Sequence, residues 1–236
     1  MVDKVKVQEG PRSFDKTTQG FIELFHKKRD GFPLEGWIRK RPSKPIKEMG
    51  YWEARNLEFD VQNAIYYQYY LTEVLNKAVK AYETGSIPEK NYSAPQRMQN
   101  VQDVINMELG MLKGELAGHR EKKGAKKKEL TEAYEKASAE SLRYYNYSEK
   151  RDEFKAEMKR IREELAPIKN EDYSLRGKIS MVSAYADRVC APSGHIVTDY
   201  AAFKKRVDAE NGILAEFRKF REELLSRMKE VNPINQ

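Results

Sequence analysis

The residues that could do metal or nucleophilic chemistry are few in this chain. The three histidines, His26, His119 and His195, fall in different segments, and none has a second ligand at the i, i+4 spacing that puts two donors on one helix face. The single cysteine, Cys190, stands close to Ser193 and His195 in the run CAPSGH, three residue types that can serve as nucleophile and base. Residues this near along a loop seldom point at one another, and no orienting acid or oxyanion motif accompanies them, so a plain loop cysteine is expected. Neither GxxxxGK followed by Ser or Thr nor GxGxxG follows a strand pattern, and the acidic residues lie in mixed-charge stretches that read as solvated helix faces. The expectation is a chain that is not an enzyme and holds no metal or cofactor.

Residues suited to binding a partner are more numerous. Lys27, Lys28 and Arg29 form one basic run; Arg39, Lys40 and Arg41 form a second, with Trp37 beside them and Lys44 and Lys47 following. A third lies in His119–Lys128, where six basic residues, among them Lys126, Lys127 and Lys128, stand against Glu121 alone. Such runs can follow a phosphate backbone while an aromatic ring stacks on a base. They are short, however, and no recognised nucleic-acid-binding signature accompanies them, so an acidic protein surface suits them better. Tyr66, Tyr67, Tyr69 and Tyr70 form a tyrosine cluster that suits an interface, where one edge of a ring is buried and the other wet. The alternative for these rings is packing within the chain.

Composition limits what can carry these groups. The 236 residues are 39% hydrophobic and 34% charged, with a mean hydropathy of −0.84. That charged share is above the quarter or so of ordinary domains, so little of the chain is deep core. Yet 14 Tyr and 9 Phe are too many for a solvating tail. The net charge of +7 is uneven: residues 1–50 contribute +5 and His119–Lys128 another +5, leaving the remainder at −3. One cysteine excludes an intramolecular disulfide and favours a reducing compartment. No run approaches the ~18 apolar residues of a membrane span, and no secretory signal is expected. An intracellular setting (cytoplasm or cytoskeleton, mitochondrion) or a virion follows from this, and secretion does not.

The element that organises the chain is Met98–Ile168. Alternate steps of three and four residues pick out Ile105, Leu109, Leu112, Leu116, His119, Lys123, Lys126, Leu130, Ala133, Ala137, Glu140, Tyr144, Tyr147, Arg151, Phe154, Met158, Ile161, Leu165 and Ile168. This is a coiled-coil seam with a polar middle. As one helix it would run for roughly 105 Å at about 1.5 Å per residue; alternatively it reverses near Gly124 into an antiparallel hairpin. Gly110, Gly114 and Gly118 form a stripe, where close approach of another backbone would offset the helix-propensity cost of glycine. Pro167 is expected to end or kink the helix.

Around this element the spacing predicts helices at about 52–83, 96–166, 174–189 and 199–231, with Lys169–Tyr173 and Cys190–Val197 as connections. The helix at 52–83 has a seam of Leu57, Val61, Ala64, Gln68, Leu71, Leu75, Ala78 and Tyr82, and its further aromatic residues suggest packing on more than one side. Residues 1–50, broken by Pro11, Pro33, Pro42 and Pro45, read as a basic extended arm in which only Thr18–Arg29 suits a helix. Residues 51–236 read as an elongated helical, coiled-coil region. The expected fold class is therefore all-α.

The function these features favour is a structural or scaffolding subunit of a large assembly, its helices spacing and bridging neighbouring proteins, with self-association through the coiled coil as an option. The assembly could be a virion or tail, a cytoskeletal lattice or a mitochondrial complex. The alternative is a nucleic-acid-associated packaging or ribosomal accessory protein that uses the basic arm and the Lys-rich patch.

Overall fold

The structure, a computed structural model, describes residues 14–29, 42–84, 94–189 and 200–232. All regular structure among these residues is helical: α1 (Lys16–Arg29), a 3₁₀ turn (Ile46–Glu48), α2 (Tyr51–Thr84), α3 (Ala94–Arg143), α4 (Ser148–Val189) and α5 (Tyr200–Glu230). The chain divides into two compact units, Met1–Val101 with Asp187–Gln236, and Gln102–Ala186.

In the first unit, local chemistry starts the helices. The Asp15 carboxylate accepts from the Thr18 main-chain N–H at 2.8 Å, which caps α1. Glu53 Oε2 reaches back to the Gly50 N–H at 3.0 Å, the reciprocal half of a capping box. Lys44 Nζ sits 2.6 Å from the same oxygen, and its hydrogen bond holds the Glu53 carboxyl below the usual range, with the Gly50 N–H adding to the effect. Such contacts fix where a helix begins, whereas burial fixes how it packs.

The buried face of α2 includes Leu57, Val61, Ala64, Gln68, Leu71, Leu75 and Ala78 of the 4-3 seam expected from the sequence, with Ala54 added before them, whereas Tyr82 at the end of that seam is half-buried. Its partner is α5, which buries Phe203, Val207, Leu214, Phe217, Phe220 and Leu224. The contacts pair the start of one helix with the end of the other: Glu58 with Arg221, Gln68 with Glu210, Glu83 with Tyr200. α2 and α5 therefore run antiparallel. Each fully buried Leu or Phe along them contributes roughly 1.5–3 kcal/mol relative to exposure.

Part of the sequence expected as an arm is built into this core. Phe21 of α1 stacks on Phe220 with centroids 4.0 Å apart and meets Phe217 at 6.0 Å. Pro42, Pro45, Ile46 and Met49 are buried, and Arg227 Nε donates to the Met49 carbonyl at 2.9 Å. Aromatic side chains in a Pro-rich segment need a surface to cover them, and α5 supplies it.

The second unit corrects the expected course of the long seam. α3 passes through Gly124 without interruption and ends at Arg143; the reversal comes at residues 144–147. Lysines are good helix formers, those at 122, 123, 126 and 128 are exposed, and one glycine among them costs only about 1 kcal/mol. α4 in turn runs through Pro167 and the expected 169–173 connection as one helix. Pro167 is exposed, so the carbonyl it frees one turn earlier can meet water, while buried Ile161, Leu165, Ile168 and Leu175 hold the helix on both sides.

The two helices of this unit run antiparallel from that turn. Tyr144 stacks on Phe154 at 5.9 Å, Tyr134 accepts from Arg162 at 2.7 Å, Lys126 reaches Glu164 at 3.7 Å, and Arg120 meets Asp172 at 3.0 Å. The partner's number climbs as the first falls, the pattern of an antiparallel pair. The glycine stripe has no part in the pairing: a Cβ at Gly110, Gly114 or Gly118 would meet nothing within 4 Å. Among the described residues of this chain no backbone makes the expected close approach there.

Candidate functional site

The polar middle of the seam is where the second unit concentrates its charged chemistry. On α4 the buried positions Ile161, Leu165, Ile168, Asp172 and Leu175 keep the 4-3 spacing, and Asp172 is the only acid among them. On α3 the corresponding polar member is His119. Both are buried, Asp172 at 4% exposure and His119 at 8%.

Burial of a carboxylate demands compensation. Asp172 receives it from two guanidinium groups: Arg120 Nε lies 3.0 Å from Oδ1, and Arg176 Nη2 lies 2.9 Å from Oδ2. The hydrogen bond from Arg120 holds the Asp172 carboxyl below the usual aspartate range against the opposing effect of burial, and the positive charges of Arg176 and Lys127 add to it. His119 uses both ring nitrogens. Nε2 lies 3.1 Å from the Ile168 carbonyl oxygen, and Nδ1 lies 3.1 Å from Glu171 Oε2.

Beside this cluster lies a surface concavity of about 300 Å³, bounded by Arg120, Lys123 and Lys127 of α3 and by Ile168 and Asp172 of α4, with Gly124 between the lysines. Among the lining residues the cations of Arg120, Lys123 and Lys127 outnumber the carboxylate of Asp172, so the concavity suits an anion rather than a cation. Among the described residues no hydroxyl or thiol nucleophile lines it.

The residues expected to bind partners are placed as follows. Trp37, Arg39, Lys40 and Arg41 lie outside the described residues. Of the tyrosine cluster, Tyr67 is core at 4% exposure, Tyr70 is half-buried, and Tyr66 and Tyr69 are each 47% exposed. Consecutive helical residues point about 100° apart, so α2 buries Tyr67 while the neighbouring flank presents Tyr66, whose ring meets that of Tyr67 edge-on with centroids 5.1 Å apart. Arg218 of α5 lies over the Tyr69 ring, 5.8 Å from its centroid. The lysine run divides in the same way: Lys126 and Lys128 are exposed and near Glu164 (3.7 Å) and Glu132 (3.9 Å), whereas Lys127 is half-buried at the concavity. Lys123 and Lys126, placed in the seam by the sequence, are both exposed.

Tyr147, also placed in the seam by its spacing, is likewise on the surface and belongs to an exposed cluster that the sequence did not predict. Leu142, Tyr145 and Tyr147, at 72%, 66% and 67% exposure, stand at the reversal between α3 and α4. The turn is braced: Tyr147 N–H donates to Tyr144 O at 2.9 Å, Arg151 Nη1 donates to Tyr145 O at 3.4 Å, and Lys150 lies 4.9 Å from the Tyr144 ring centroid. The unbroken heptad register across residues 144–147 concealed the turn. The signal available was the run of three tyrosines with Asn146, residues of modest helix propensity.

The chain matches no family model, no curated protein and no solved structure. Among the described residues no group of three or more His, Cys, Asp or Glu could hold a metal ion. No helix among them is long and apolar enough to cross a membrane.

Proposed function

We propose that this chain is a non-catalytic structural or scaffolding subunit of a large macromolecular assembly, attached to its neighbours through exposed aromatic surface on stiff helices. The observation that carries this reading is the tip of the α3–α4 pair. An antiparallel helical pair with its own seam ends in a reversal where Leu142, in the last turn of α3, and Tyr145 and Tyr147, in the turn itself, are all more than 60% exposed. Aromatic rings on a braced turn lose little conformational freedom on binding, which makes such a tip a good anchor for a pocket on another subunit. The buried Asp172 pairs and the long buried seams support a spacing role, because they favour one register of the two helices.

The test is purification of the tagged full chain from its source at ~0.15 M salt after nuclease treatment, beside a variant carrying Leu142→Ser, Tyr145→Ser and Tyr147→Ser. A nuclease-resistant set of proteins that the variant loses is the expected outcome. Equal recovery by both chains overturns the attachment role of the tip.

A second reading, association with nucleic acid, is favoured by the exposure of Lys122, Lys123, Lys126 and Lys128 along two turns of α3 beside the cation-rimmed concavity. It predicts binding that weakens steeply with salt and on Lys→Glu reversal at those four positions.

A further inference from the structure

α2 carries a second seam on the side away from α5. Trp52, Phe59 and Tyr66 recur every seven residues and are 67%, 58% and 47% exposed. Four residues after each of them, and after Glu73, come Asn56, Asn63, Tyr70 and Lys77. Asn56, Glu73 and Lys77 are exposed, and Asn63 and Tyr70 are half-buried. The alternating steps of four and three are those of a helix-pairing seam. It extends over about 38 Å at 1.5 Å per residue, while the inward seam of Leu57, Val61 and Ala64 is committed to the first unit's core.

We propose that this outward face of α2 is the docking surface for a second copy of the same chain, joined to it antiparallel. The sequence of the face is complementary to itself in that direction and not in the other. Antiparallel pairing centred between Asn63 and Tyr66 sets Trp52 opposite Lys77 of the second copy, Asn56 opposite Glu73, Phe59 opposite Tyr70 and Asn63 opposite Tyr66, each contact occurring twice by symmetry. These are a cation on an indole face, an amide donor on a carboxylate, an aromatic pair and an amide with a phenol. Arg55, exposed one position before Asn56, comes beside Glu73 of the second copy. Parallel pairing instead opposes Glu73 to Glu73 and Lys77 to Lys77, which repel. A two-helix contact of this length falls at the low end of specific interfaces, about 1,200 Å² or less, so the dimer is expected to depend on concentration.

This proposal goes beyond the attachment role of the hairpin tip and is tested separately from it. Light scattering on the full chain from ~1 to ~200 µM should show a mass that rises from 27.6 kDa toward twice that value. Phe59→Glu with Tyr66→Glu, both at exposed positions, should hold the mass at the monomer value with unchanged helicity. Spin labels at Lys77→Cys in a Cys190→Ser background should lie roughly 38 Å apart or more along the paired helices, set by about 1.5 Å per residue. A chain that stays monomeric to ~200 µM overturns the proposal and leaves the face to a different protein. A dimer that survives Phe59→Glu with Tyr66→Glu, or label separations below ~20 Å, overturns it as well.

Discussion

Gln68 Nε2 lies 2.7 Å from Glu210 Oε2 and 3.1 Å from the Glu210 main-chain carbonyl oxygen, so one amide serves two acceptors in the seam between α2 and α5. Gln68 is 2% exposed and Glu210 9%, and the neighbouring seam positions are apolar. The pair fixes the register of the two helices, because a shift by one turn would leave a buried carboxylate facing Ala64 or Leu71.

Gln68→Leu should therefore destabilise the chain by about 1.5–3 kcal/mol, the range for a hydrogen bond to a charged group. Gln68→Leu with Glu210→Leu should recover much of that loss, since both polar groups leave the seam together. Chemical denaturation of the wild type, both single variants and the double variant gives the coupling directly. Additive losses would show that the two side chains act independently.

Asp172 should make stability depend on acid. Its folded carboxyl titrates below the usual aspartate range, chiefly through Arg120, so unfolding in acid takes up a proton. The stabilisation by its ion pairs is full above the unfolded value of about 3.9 and is lost as pH falls through the lower folded value. Asp172→Asn should cost about 1–3 kcal/mol near neutral pH and flatten this part of the acid limb. Thermal melts of both chains between about pH 2 and 7 check the prediction, and parallel curves contradict it.

Gly110→Ala, Gly114→Ala and Gly118→Ala should each stabilise α3 by about 0.5–1 kcal/mol. A Cβ at any of the three meets open space within 4 Å, so the propensity gain is not opposed by a clash. Calorimetry of the single variants reads this as a rise in Tm of a few degrees. A fall at any position in the assembled state, with a rise in the isolated chain, would reveal another chain's backbone lying against that position.

Pro167→Ala should raise stability by up to about 3 kcal/mol, restoring one i to i−4 hydrogen bond in a helix that already runs on both sides of it. Amide exchange should slow at the flanking residues of α4. Unchanged exchange would mean that the proline sits in a bend the helix keeps for other reasons.

The helical class, the existence of α2 and α5 and the inward set from Leu57 to Ala78 were all legible in the sequence, because a 4-3 repeat of apolar residues leaves few alternatives. The predicted bounds of 52–83 and 199–231 lie within a residue of Tyr51–Thr84 and Tyr200–Glu230. Local rules misled where two of them pulled apart. Gly124 and Pro167 are breakers by propensity, at a cost of about 1–3 kcal/mol each, and burial of Leu112, Ala137, Leu165 and Ile168 along the same helices outweighs that cost. The register crossing residues 144–147 was real as a count and still did not describe one helix, since a reversal that happens to preserve spacing leaves no trace in a periodicity. Which polar seam residue meets which partner was beyond the sequence as well. Gln68 and Asp172 are separate polar positions until antiparallel packing brings Glu210 to the first and Arg120 to the second. The sequence by itself determined the helices and their apolar faces, because periodicity and propensity act within a few turns. Only the tertiary structure decided where the chain reverses and which tyrosines are core or surface, because those depend on what residues distant along the chain cover.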